Sequence, residues 1–194
     1  MKMKQTMIGL CNQSTSKNGP RLDPERVRRS VLRVCLLAGV LCSLVGVCAV
    51  SGIRFNASES LPGFFYIVTN NATSPLIEFC PEGGSSLLSK ERAYRRPGAC
   101  PDGATPMLKP IAAQAGDLVE VSPHGITVNG TELRNSAPRS RDSRGRPLAH
   151  WPFGRYPVPE GFVWVVSEYN ALSFDSRYFG PIPVASIRHH LRPL

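Results

Sequence analysis

At 194 residues the chain has room for one domain of ordinary size plus appendages, with a buried core of its own, and not for several domains. Its formal charge of +9 points to a polyanion partner only until it is divided: residues 1–33 carry eight Lys/Arg against Asp23 and Glu25, a charge of +6, which leaves +3 for the other 161. A nucleic-acid-binding protein needs its basic face within the folded part. Here the surplus sits in a tail just before an apolar run, the arrangement of the positive-inside rule.

Residues 1–33 are polar and lack periodicity, as in Asn12-Gln-Ser-Thr-Ser-Lys-Asn-Gly-Pro20, so the expectation is a short cytoplasmic tail, with a helix beginning between Arg26 and Arg33. From Val34 to Ile53 there are 20 residues without a formal charge, bracketed by Arg33 and Arg54. As a helix that run spans roughly 30 Å, the thickness of a bilayer's hydrocarbon core. A cleaved signal peptide is the competing reading, since Ala49-Val-Ser51 is a small-x-small site, but a 33-residue charged region and a 20-residue apolar run are both long for one. The bulky Val47 before Cys48 argues against a lipoprotein signal. An uncleaved anchor at 34–53 with Lys/Arg retained inside puts residues 54–194 on the periplasmic side of an inner membrane.

The cysteines fit this topology. Cys11 lies in the reducing tail, and Cys35, Cys42 and Cys48 behave as small apolar residues within the span. Cys80 and Cys100 form an even pair in a compartment that permits disulfides, and a bridge between them closes a loop of about 20 residues, worth about 3 kcal/mol. A metal site is the alternative, but no histidine stands at ligand spacing.

After the anchor the pattern is β. Phe64–Thr69, Leu76–Phe79, Leu108–Ala113, Leu118–Val121 and Phe162–Val166 are short, rich in branched and aromatic residues, and bounded by Pro, Gly and Asn. Ile126–Leu133 reads as a hairpin, with Asn129-Gly130 at the positive-φ positions of a type I′ turn. The one helix of any length is expected within Ser85–Arg95. Many short strands at close spacing predict a mostly β fold, a sheet sandwich or coiled barrel. Residues 134–157 are polar, Pro/Gly-rich and studded with arginine, which predicts a long loop. Those arginines are either a solvated surface or a grip on a polyanion.

Two residues stand out for chemistry. Ser60 lies before the proline-held turn Leu61-Pro62-Gly63, where most serines are solvated, and a hydroxyl is a poor nucleophile unless a base is within hydrogen-bond reach. Lys109 interrupts the apolar run Met107–Ala113. An edge lysine that guards against sheet aggregation gives the same pattern. Facing inward, it loses hydration, its pKa falls, and it becomes a base near neutral pH. The histidines His124, His150, His189 and His190 fit no triad spacing, and there is no Gly-x-Ser-x-Gly elbow.

The succession Asn56-x-Ser58-x-Ser60-Leu-Pro62, Leu108-Lys-Pro-Ile-Ala-Ala-x-x-Gly-Asp117, Val128-Asn-Gly130, Asp142-Ser-x-Gly-Arg-Pro-Leu148 and Ser173-Phe-Asp-Ser-Arg-Tyr-Phe-Gly-Pro181 resembles the signal-peptidase family of Ser/Lys proteases over residues 54–187. Within it, the motifs and the placement of Cys80 and Cys100 are most similar to the conjugal-transfer, pilin-processing (TraF-type) branch. The resemblance implies a coiled β-sheet or barrel domain behind a single transmembrane helix, with Ser60 as nucleophile and Lys109 as general base. It implies further that Ser58 joins the Ser60 N–H in an oxyanion hole, that Ser173 orients the lysine amine, and that Asp175 and Arg177 form an ion pair beneath the site, the aspartate also mattering for turnover. Such a dyad needs no metal and no cofactor. The implied substrate is an exported pilin precursor, cleaved or cyclised at the membrane, with conjugation-channel proteins as further partners and no nucleic acid. A general leader peptidase acting on secretory precursors is the alternative, and a non-catalytic channel scaffold is the more distant one. Two departures bear on this: Phe64 replaces a usual glycine, and Glu168-Tyr-Asn170 stands where an Asp-Asn pair is common. Phe64, Phe65, Trp151 and Phe153 form a candidate membrane-dipping face.

Overall fold

The computed structural model describes residues 23–56, 58 and 60–194. The tail before residue 23, with Cys11, and the side chain of Cys48 lie outside the described residues. Two compact units divide near residue 47.

The first is helix α1, Pro24–Val50. Pro24 occupies its first turn, where a missing N–H costs nothing, and the Asp23 side chain accepts the Glu25 N–H at 3.1 Å. The apolar part is long and hydrophobic enough to cross a membrane, with a mean hydropathy of 2.2, and so is compatible with single-pass anchoring. Within the apolar run the Ser43 hydroxyl donates back to the Gly39 carbonyl at 2.9 Å, so it is paired inside the helix. The helix ends at Val50, three residues before the Ile53 expected from the apolar run. Ile53 instead opens a strand, because Gly52 turns the chain with φ +73°.

The second unit is mostly β. Strands β1 (Ile53–Phe55), β2 (Phe65–Thr69), β3 (Leu76–Phe79), β4 (Met107–Ala113), β9 (Phe162–Val165), β10 (Ile182–Pro183) and β11 (Ile187–Pro193) make a seven-stranded sheet in the order β1-β2-β11-β3-β4-β9-β10. Strands β5 (Leu118–Val121), β6 (Ile126–Val128), β7 (Thr131–Glu132) and β8 (Gly154–Pro157) make a four-stranded sheet in the order β7-β6-β5-β8. Every pairing is antiparallel. Alternation in β3 and β4 buries Ile77, Phe79 and Met107 against Val163, Val165 and Ile182. A second cluster, with Val119, Val121, Ile126, Trp164 and Val166, fills the four-stranded sheet's inner face.

The β6–β7 hairpin turns at Asn129 (φ +50°) and Gly130 (φ +81°), as the type I′ reading requires. Helix α2 spans Gly83–Glu91, two residues ahead of the expected start and ending before Arg95. Cys80 and Cys100 are disulfide-bonded and tie the end of β3 to the segment beyond α2.

Besides β1, three further strands differ from the sequence reading. The arginine-rich stretch is not all loop, since it ends in β8, whose register against β5 pairs Arg155 with Glu120. The short β10 was not expected. Nor was β11, although it sits between β2 and β3: Ile-Arg-His-His-Leu-Arg-Pro shows no clean apolar alternation, and only Leu191 is fully buried. Helix α3 (Ser176–Phe179) is a single turn closed by Gly180 at φ +72°, where a Cβ would meet the Trp151 ring at 2.7 Å.

Candidate active site

The turn between β1 and β2 is organised by Asn56, the first residue of the Asn56-x-Ser58-x-Ser60 motif, to which no role was assigned from the sequence. Asn56 is buried, and its amide donates to the carbonyls of Leu61 and Gly63, both at 3.1 Å, while its Oδ1 accepts the N–H and the hydroxyl of Ser58 at 3.1 and 2.9 Å. Leu61 anchors the turn in a cluster with Tyr66 and Leu191. Between these fixed points Ser60 is 6 % exposed, and its carbonyl accepts the Ser167 hydroxyl at 2.5 Å. Ser167, also missed in the sequence, lies two residues beyond the end of β9, so the turn is pinned to the strand that pairs with β4.

Lys109 comes from β4. Strand alternation sets it on the same face as Met107, turned inward and 5 % exposed, so it is not an edge lysine in water. Its Nζ lies 2.6 Å from Ser60 Oγ and 2.8 Å from Ser173 Oγ. Burial pushes its pKa down from 10.5 to about 8; the Asp175 carboxylate opposes that fall and the Arg177 guanidinium adds to it.

Ser173 lies in the loop before α3, and that loop is held by an ion pair with no exposed surface. Arg177 Nε and Nη2 each meet one oxygen of Asp175 at 2.7 Å. The remaining Arg177 donors bind the carbonyls of Asn135, Ala171, Asn170 and Ser173. Asp175 accepts the Ser167 N–H at 3.0 Å, so one pair fixes the neighbours of both Ser60 and Lys109. Removing either member of such a pair typically costs about 3–5 kcal/mol, because a bare charge stays behind.

Ser58, Ser60, Lys109 and Ser173 all line one cavity of about 380 Å³. Ser58 is exposed, and its hydroxyl proton is directed to Asn56 Oδ1. No histidine lines the cavity. Beside it, Phe64 and Phe55 stack with ring centroids 6.4 Å apart, and both are exposed along with Phe65. Trp151 differs from its expected membrane-facing role, because it is half-buried and packs edge-on to Trp164 at 6.3 Å. Glu168 accepts the Arg134 N–H at 2.8 Å and its carbonyl accepts the Asn135 amide, which makes it a brace for the loop after β7.

A protein-family model described as signal peptidase, peptidase S26, matches residues 28–192. The chain belongs to the S26 signal peptidase family. Among S26-like relatives, a plasmid transfer protein TraF of Escherichia coli is 33% identical over 173 residues, covering 87% of this chain and 97% of its own. A probable conjugal transfer protein TraF of Sinorhizobium fredii is 37% identical over 172 residues, covering 84% and 88%. A conjugal transfer protein TraF of Agrobacterium fabrum is 32% identical over 173, covering 86% and 96%. A solved signal peptidase I from Enterococcus faecalis is 18% identical, covers 64% of this chain and 99% of its own, and superposes with a TM-score of 0.35, too slight a likeness to argue from.

Proposed function

We propose that this S26 peptidase is a membrane-anchored serine endopeptidase with a Ser60/Lys109 dyad, and that it processes an exported conjugative pilin precursor. The observation that carries the reading is a buried amine, held near neutrality by desolvation, 2.6 Å from a buried serine hydroxyl. Neutral Lys109 takes the Ser60 proton as Oγ attacks the scissile carbonyl. The oxyanion is met by the Ser60 N–H and by the Ser58 hydroxyl after it turns from Asn56. The Lys109 ammonium returns its proton to the leaving amine, which leaves an acyl-enzyme on Ser60. Water then attacks, giving plain cleavage, or the precursor's own N-terminal amine attacks, giving a cyclic subunit when the site holds that amine close and excludes water. Ser173 positions the lysine amine, and the Asp175–Arg177 pair positions Ser173.

The substrate lies extended along β4. Ile111 donates to Pro75 on the β3 side, so alternation turns the N–H and C=O of Leu108 the other way. There β9 pairs with β4 only from Ile111 onward. Pro110, which has no N–H to offer, stands where that partner is missing. Anchoring by α1 with the N-terminal tail cytoplasmic puts residues 54–194 on the periplasmic side.

The relatives' names favour a conjugation substrate, whereas the family's description favours general leader peptidase activity, which remains the second reading. Co-expression of the full chain with a candidate pilin precursor, followed by intact mass, tests the first: trimming that disappears in Ser60→Ala is expected, and a product one water lighter than the trimmed linear chain marks cyclisation. Equal trimming of unrelated preproteins would select the leader-peptidase reading, and unaltered trimming in Ser60→Ala would end both.

A further inference from the structure

The lining of the cavity is cationic beyond what the dyad chemistry uses. Arg95, Arg96, Arg139 and Arg141 all line it, and the only acidic side chain among the lining residues is Asp142. Arg95 is accounted for: it is buried, ion-paired to Asp102, and bonded to Ser89 Oγ and the Thr105 carbonyl. Asp142 is spent as well. Its Oδ1 accepts the N–H groups of Arg144 and Arg146, and its Oδ2 accepts the Tyr94 hydroxyl at 2.6 Å and Arg146 Nε at 2.7 Å, with Arg92 at 3.5 Å. Arg141 gives one nitrogen to the Gly145 carbonyl at 2.7 Å. Arg96 and Arg139 remain exposed, their guanidinium groups without an acidic partner among the described residues. Their backbones are separately employed, Arg96 C=O accepting Thr105 N–H and Arg139 N–H donating to the Tyr178 hydroxyl, which holds the two side chains at the cavity wall.

Two guanidinium groups without acidic partners, lining the same cavity, give it a fixed positive field and planar donor forks that match a carboxylate. We infer that Arg96 and Arg139, supported by Arg141, form a carboxylate-recognition subsite, so that the chain selects peptides bearing an acidic side chain or a free C-terminal carboxylate within a few residues of the scissile bond. This inference rests on the peptidase reading for its place in catalysis, but its binding content does not.

The full chain in detergent micelles is tested with a twelve-residue peptide carrying alanines at its centre, in versions with Glu or Gln at each flanking position in turn and with a free-acid or amidated C-terminus. Binding to Ser60→Ala is read by fluorescence anisotropy, and cleavage by wild type is read by mass. At least one Glu position, or the free acid, is expected to bind and react on the order of tenfold better than its neutral match, less so at high salt. In R96Q/R139Q that preference should collapse while the neutral peptide binds as before, and Arg→Lys at both positions should restore part of it. The Glu and free-acid versions separate the two sources of the carboxylate. No preference in wild type, or a preference that survives R96Q/R139Q, overturns the subsite. Preferential binding without any cleavage would keep the subsite and remove the peptidase reading, and cleavage indifferent to the carboxylate would do the reverse.

Discussion

Replacing Lys109 by Met tests whether the amine is held in a strained state. The folded protein lowers the lysine pKa from 10.5 to about 8, through burial first. Below pH 8 the side chain is protonated in both states, and the folded state bears the full cost of hiding an ammonium. Between pH 8 and 10.5 the folded lysine is neutral while the unfolded one still binds a proton, so stability rises with pH. Above 10.5 the cost is gone. The gap, at about 1.4 kcal/mol per pH unit, comes to about 3 kcal/mol. Met removes that cost but leaves the Ser60 and Ser173 hydroxyls without the amine, at about 1 kcal/mol each. Lys109→Met is therefore expected to be about 1 kcal/mol more stable than wild type at pH 7, and about 2 kcal/mol less stable at pH 11. Urea unfolding in micelles, followed by tryptophan fluorescence, measures this for the β unit alone, since both tryptophans, Trp151 and Trp164, lie there. A wild-type minus mutant difference that stays flat from pH 7 to 11 would refute the buried-amine argument.

Three other outcomes follow from the same geometry. The pH profile of kcat/KM should rise through about 8 and then level, and because the Asp175 carboxylate holds the Lys109 proton on, Asp175→Asn should move that midpoint to lower pH while costing about 3–5 kcal/mol in urea unfolding. Ser167→Ala removes the hydroxyl that pins the Ser60 carbonyl and should lower stability by about 1 kcal/mol, with a larger fractional loss in kcat than in KM in peptide cleavage assays. Cys80→Ser/Cys100→Ser should lose about 3 kcal/mol in the same unfolding experiment, the mutated segment becoming more accessible to limited proteolysis.

The features legible in the sequence are those set by local chemistry. The Asn129-Gly130 hairpin, the apolar helix and the strand carrying Lys109 each announce themselves within a few residues, and the motif succession named the family over most of the chain. What stayed hidden depends on partners distant in sequence. Strand β11 packs through Leu191, while its register with β2 and β3 is fixed by main-chain pairing, which leaves the side chains free to be His and Arg. Asn56 and Ser167 are ordinary loop polar residues until the fold brings both to carbonyls of the Ser60 turn. Trp151 stands in the polar, arginine-studded stretch 134–157, which reads as exposed, yet Gly180 clears a space for its ring.

Why the lysine lies near neutrality, and not far above or below it, follows from how its neighbours are paired. Asp175 and Arg177 are both fully buried and both act on Lys109, with opposite signs. Because each carboxylate oxygen meets its own guanidinium nitrogen at 2.7 Å, the pair acts on the amine as a compact dipole with no net charge. Desolvation then decides the pKa, and its size is set by the surrounding strands, not by a mobile counter-ion. An unpaired aspartate at that depth would keep the lysine protonated, and an unpaired arginine would leave a second buried cation to satisfy. The costly buried pair thus gives what neither charge could give alone: a rigid mount for Ser173 that leaves the amine free to lose its proton near pH 8.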